Sequence, residues 1–99
     1  TNFFAIKNNT VFTAPLSNYI LSGVTRNVVL DLCKENKIDF SEEHINVNEL
    51  KSFDEFFITG TTTEVTPVIK IDDRIVGDGK PGIITRNIQE LFFNAVNHI

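Results

Sequence analysis

The chain has no methionine and no tryptophan, and only one cysteine and one tyrosine. A lone cysteine, Cys33, cannot close an internal disulfide, which fits a reducing, cytoplasmic compartment. No apolar run approaches the roughly 20 residues that cross a bilayer, so no membrane association is expected. Thr1-Asn2-Phe3-Phe4 has neither the basic start nor the cleavage pattern of a secretory signal. The two histidines, His44 and His98, lie far apart with no carboxylate or cysteine at ligand spacing, which argues against a metal site. The net charge is −4 and the nine basic residues are scattered along the chain, so a nucleic-acid surface is not expected either. The absence of methionine extends to position 1, and the chain is expected to start partway through a longer protein.

What is present is a core. Nine phenylalanines and 41% apolar residues in 99 are enough for one globular domain, and no linker or repeat divides the chain. Phe3 to Lys7 and Thr10 to Thr13 read as strands joined by Asn8-Asn9, a pair that tolerates the positive φ of a tight hairpin. Pro15 to Ser22 reads as a connecting loop. Val28, Val29, Leu32 and Cys33 recur at helical spacing, predicting a helix over 25–36 with Thr25 as N-cap and Lys34 and Lys37 near its C-terminus. Cys33 on that apolar face reads as packing. Ile45 to Val47 predicts a short strand, with Asn48 capping a brief helical turn. Glu55 to Thr59 and Val68 to Ile71 are β-branched and aromatic, and read as interior strands with neighbours on both sides. Arg74 to Val76 should pair back across an Asp72-Asp73 turn. Ile84, Ile88, Leu91, Phe92, Ala95 and Val96 predict an amphipathic helix over 85–97.

Two segments carry anion chemistry. Gly60-Thr61-Thr62-Thr63-Glu64-Val65-Thr66-Pro67 follows a buried strand, and the chain is expected to turn at the proline. The glycine lets the backbone approach a bound group, and the threonines add O–H donors to backbone N–H donors. Ser22-Gly23-Val24-Thr25-Arg26 sits where a helix begins, and its free N–H groups with the helix dipole behind them suit a phosphate. Either segment alone also reads as an ordinary helix start or strand end. Thr59, before the glycine, reads as strand, with a hydroxyl not expected to reach an anion. Gly77-Asp78-Gly79-Lys80-Pro81-Gly82 lacks the spacing of a nucleotide-binding loop and reads as a tight turn feeding the last helix.

In order along the chain, Thr1 to Lys7, Leu16 to Arg26, Asp54 to Thr61, Glu64 to Val68 and Gly77 to Gly82 resemble the C-terminal part of a class IV aminotransferase, a fold-type IV pyridoxal-phosphate enzyme. The resemblance implies an α+β fold, with residues 1–99 forming the C-terminal part of the larger, cofactor-binding domain: a mixed sheet or pseudobarrel flanked by helices. It further implies that Leu21 packs on the pyridine ring of pyridoxal phosphate. Val24 and Thr25 would hold the cofactor phosphate through N–H groups and a hydroxyl, with Thr61 on its other side. Thr62, and less directly Thr63, would face the substrate carboxylate. The family's catalytic lysine and the glutamate that pairs with the pyridine nitrogen fall before Thr1 in the family pattern. None of Lys7, Lys34, Lys37, Lys51, Lys70 or Lys80 takes the lysine's place, so these residues alone are expected to be inactive. The implied partners are an amino acid, a 2-oxo acid and a second copy of the whole protein in a homodimer. Thr61 to Pro67 resembles the D-amino-acid transaminases. Gly60-Thr61 is closer to the branched-chain enzymes, and an aminodeoxychorismate lyase belongs to the same family. Outside it, a non-enzymatic anion-binding or assembly domain stays open.

Overall fold

The computed structural model describes residues 1–16, 23–60, 62 and 64–97. Strands β1 (Asn2–Lys7) and β2 (Thr10–Thr13) form a hairpin in which Asn8 and Asn9 adopt φ of 52° and 62°. Positive φ at both central residues makes a turn whose twist matches the strands it joins, and asparagine adopts it at low cost. Strands β3 (Phe40–Glu42), β4 (Glu55–Gly60) and β5 (Glu64–Val68) complete a sheet of order β3-β2-β1-β4-β5, antiparallel except for β2 with β3. A separate hairpin, β6 (Lys70–Ile71) with β7 (Arg74–Ile75), turns at Asp72-Asp73, with Asp72 at φ 54°.

Helices α1 (Val24–Glu35) and α2 (Ile83–Val96) pack against one face of the sheet. Period-two alternation sends Phe4, Ile6, Val11, Phe57 and Val65 to that face, where they meet Val29, Leu32 and Cys33 of α1 and Ile88 and Phe92 of α2. Phe4 and Phe57, directly opposite in register, stack at 4.6 Å. The other face carries a second aromatic group, with Phe56 between Phe3 (5.6 Å) and Phe53 (6.0 Å). Helix α1 ends with Lys37 at φ 58°, which lets the Ile38 N–H reach the Cys33 carbonyl at 2.9 Å and turns Ile38 onto the core.

Several sequence-based expectations need correction. Thr25 does not cap α1: the N-cap is Gly23, and Thr25 lies inside the first turn. No strand covers Ile45 to Val47. The strand is β3, whose edge position leaves Phe40 and Glu42 exposed and so gives it no apolar alternation to read. The short turn that follows is a 3₁₀ helix over Val47–Ser52, capped by the Asn46 side chain accepting from the Asn48 N–H rather than by Asn48 itself. Finally, the chain does not turn at Pro67, which lies within β5 opposite Phe57. Strand β5 is the edge of the sheet, the place where a residue without an N–H is tolerated. So of the two strands expected to be interior only β4 has neighbours on both sides, and the expected Val68 to Ile71 strand divides at Ile69 between the end of β5 and β6. Pro15 and Leu16 lie outside any helix or strand, while the rest of the expected 15–22 loop lies outside the described residues.

Candidate functional site

The start of β1, the end of β4 and the start of α1 converge. Asn2 pairs with Thr59 across the two strands, and the Thr25 hydroxyl donates to the Gly60 carbonyl at 3.3 Å. Between them lies a small cleft of about 50 Å³, walled by Gly23 to Arg26 on one side and by Thr1, Asn2, Thr59 and Gly60 on the other. Gly23 sits at φ 64°, and a Cβ there would lie 2.9 Å from Asn2 Oδ1, so only glycine allows the helix to start this close to the strand.

The positive end of the α1 dipole faces the cleft. The first amides of α1 have no intrahelical acceptor, Gly23 offers no side-chain cap, and no acidic residue occupies the first turn. Arg26 is buried beneath them, 1% exposed, with Nη2 donating to Glu42 Oε1 at 2.7 Å and to the Ala14 carbonyl at 3.0 Å. Among the described residues its Nε has no partner, nor has the hydroxyl of the fully buried Thr59. Both residues line the cleft. Buried donors of this kind are normally paired.

The start of α2 is built from the same parts with the opposite result. Glu55, on the helix-facing side of β4, places Oε1 2.7 Å from the Thr85 amide and Oε2 3.2 Å from the Ile84 amide. A Cβ at Gly82 would collide with the Glu55 side chain, so the glycine makes room for this carboxylate. The glycine-rich approach to α2 forms its own turn, with Gly77 and Gly79 at positive φ and the Lys80 amide bonded to Asp78 Oδ1.

Of the residues expected to form the site, Val24 and Thr25 lie in the cleft wall and Thr62 is exposed in the connection between β4 and β5. Leu21, Thr61 and Thr63 lie outside the described residues. Sequence reasoning missed Thr59, Arg26 and Glu55. Thr59 shares its face with Phe57 two residues earlier, and Arg26 lies three residues before Val29, so both fall on core-facing positions where a polar side chain is a signal. Cys33 is fully buried in the last turn of α1, and burial pushes its thiol up to about 11, which keeps it protonated and unreactive at neutral pH. A larger cavity of about 170 Å³ on the opposite face is lined by Leu50, Phe53, Phe56, Ile71 and Ile75 together with Lys51 and Arg74.

The pattern of the amino-transferase class IV family matches residues 1–71. A D-alanine aminotransferase of Staphylococcus haemolyticus is 47% identical over 92 residues, 93% of this chain and 33% of that protein. A probable branched-chain-amino-acid aminotransferase of Aquifex aeolicus is 47% identical over 96 residues, 96% of this chain and 31% of that protein. The crystal structure of an aminotransferase from Brucella abortus bound to the cofactor PLP superposes with a TM-score of 0.89 at 27% identity, covering 98% of this chain and 34% of the other. The chain thus spans about a third of the length of the curated relatives it matches.

Proposed function

The chain belongs to the class IV aminotransferase family, and we propose that its cleft holds the phosphate of pyridoxal phosphate in a transaminase of D-amino acids, D-alanine in type. The observation that carries this reading is the start of α1: a glycine N-cap with no side-chain cap bond, and two buried donors without partners among the described residues, around one small cleft. A phosphate dianion satisfies such a donor set.

When bound, pyridoxal phosphate supplies the electron-withdrawing ring on which an amino group is exchanged. The part assigned to this chain is to anchor the phosphate, so that the cofactor keeps its place through turnover. The Val24 and Thr25 amides donate to it directly. The Thr25 hydroxyl has a single proton, now given to the Gly60 carbonyl, and transferring it to the phosphate costs little because 3.3 Å is long for an O–H bond. Leu21 is assigned to the face of the pyridine ring, Thr61 to the far side of the phosphate, and Thr62 and Thr63 to the substrate carboxylate. No lysine lines the cleft among the described residues. We therefore assign residues 1–99 to the C-terminal part of the cofactor-binding domain and expect them alone to be inactive. The whole enzyme is read as a cytoplasmic homodimer acting on an amino acid and a 2-oxo acid.

The Thr61 to Pro67 pattern favours the D-amino-acid reading. A branched-chain L-amino-acid enzyme is the second reading, favoured by Gly60-Thr61 and by a relative of that name at the same 47% identity. In the full-length protein, Thr25→Ala and Thr61→Ala should each weaken cofactor binding by on the order of tenfold to a hundredfold, the equivalent of a charged hydrogen bond of roughly 1.5–3 kcal/mol. Titrating the apoprotein with pyridoxal phosphate by absorbance measures this, and unchanged affinity in both variants refutes the cofactor assignment. Comparing D-alanine with L-leucine as amino donors separates the substrates, since turnover of the L-amino acid alone would sink the D reading.

A further inference from the structure

We propose that Thr59 is a further anion-binding residue, its hydroxyl donating to the bound phosphate from the sheet side of the cleft. The inference rests on the anion reading of that cleft and extends it to a residue whose place in the sequence, inside a strand, points only to packing. Thr59 is fully buried, and its register opposite Asn2 and Val65 turns its side chain toward the helices. Its hydroxyl has no partner, and the residue lines the cleft together with Gly23, Val24, Thr25 and Arg26.

A fully buried strand position that needed only shape would be served as well by valine, which has the same outline and no polar atom to satisfy. Threonine at that position is favoured when its hydroxyl has an acceptor. Around it lie the first amides of α1 and Arg26 Nε, a donor that is also buried and has no partner among the described residues. Two acceptors share the cleft: the Gly60 carbonyl, which accepts from Thr25, and Asn2 Oδ1, which sits against Gly23. An anion entering among these donors takes the Thr59 proton as well. Thr85 supplies the internal control. Its hydroxyl is equally buried and unpartnered at the first turn of α2, but Glu55 already occupies that helix start.

The test uses the full-length apoprotein, isotope-labelled, titrated with inorganic phosphate and followed by the amide signals of Gly23 to Arg26 and Gly60. Three variants accompany it: Thr59→Val, which removes only the hydroxyl; Thr59→Ser, which keeps it; and Thr85→Val. Thr59→Val should bind phosphate roughly tenfold or more weakly, the loss expected for one charged hydrogen bond. Its phosphate-free Tm should rise, because an unpaired buried hydroxyl has been removed. Thr59→Ser should bind like the parent, and Thr85→Val should gain stability with its phosphate affinity unchanged. Phosphate binding by Thr59→Val within twofold of the parent overturns the proposal while leaving the anion site intact. Affinity lost together with phosphate-free stability overturns it in favour of a structural hydroxyl. If the parent chain shows no phosphate-dependent shifts at these amides, the anion reading of the cleft fails and the role of Thr59 fails with it.

Discussion

Both long helices begin at a glycine that offers no side-chain cap, and neither has an acidic residue in its first turn. Yet one start is closed and the other open. At α2 the chain supplies its own anion, the Glu55 carboxylate, from 29 and 30 residues away in sequence. At α1 the corresponding amides face a small cleft with a buried arginine below and an unpaired hydroxyl opposite. The same physical demand, negative charge at the positive end of a helix, is met internally where the helix is scaffold. At α1 no side chain meets it among the described residues, and on the proposed reading a phosphate does.

The strongest way to break this contrast is to open α2. Glu55→Ala removes two hydrogen bonds from a carboxylate and should cost about 2–4 kcal/mol of stability, measured by urea denaturation followed by circular dichroism. Inorganic phosphate should then recover part of the loss, because the variant exposes a second anion site. A variant as stable as the parent would mean that the cap contributes nothing.

Gly82→Ala probes the same contact from the other side. The new Cβ would displace the Glu55 side chain, and we expect a loss of about 1–3 kcal/mol as the cap is weakened. In a Glu55→Ala background the sign should reverse. The φ of −76° at Gly82 suits alanine, which then stabilises by roughly 0.4–1 kcal/mol through the unfolded chain. Additive effects in the double variant would refute a shared origin.

Gly23→Ala should behave differently, losing about 1–2 kcal/mol in either background, since its φ of 64° is strained for any side chain. Thermal melts of the single and double variants compare the two glycines. One is needed for the room it leaves, the other for its backbone angle as well.

The smallest effect belongs to neither helix start. Burial raises the Cys33 thiol from 9.0 to about 11, so between those values the unfolded chain loses its proton first. Stability is therefore full below pH 9 and falls as pH rises toward 11. Between pH 8 and 9.5 the loss should stay under about 1 kcal/mol. The difference between parent and Cys33→Ala in denaturation at the two pH values isolates it, and a difference that grew in the opposite direction would contradict the burial.

Local chemistry made much of the frame legible. Asn8-Asn9 announced its hairpin because few residues accept positive φ twice in succession. The stripes at Val29, Leu32 and Cys33 and at Ile88 and Phe92 announced helices because burial on one side repeats every 3.6 residues. Strand β3 left no such trace, since its edge position leaves Phe40 and Glu42 exposed and its identity rests on pairing with β2. Pro67 misled for a related reason. Proline often ends a strand, and only the sheet order shows that β5 is an edge with no further ladder to supply.

By itself the sequence determined the two hairpins, the apolar faces of both helices, the donor-rich character of Gly23 to Arg26 and the family to which the chain belongs. These depend on neighbours in the chain, on backbone angles and on short periods. Tertiary structure alone decided which helix start would be open. Glu55 and Thr59 lie four residues apart on the same face of one strand, both polar among phenylalanines, and nothing local distinguishes a cap from a ligand donor. Their roles differ because antiparallel packing sets the start of α2 against one end of β4 and the start of α1 against the other. Only that placement leaves one side chain satisfied and the other waiting for an acceptor.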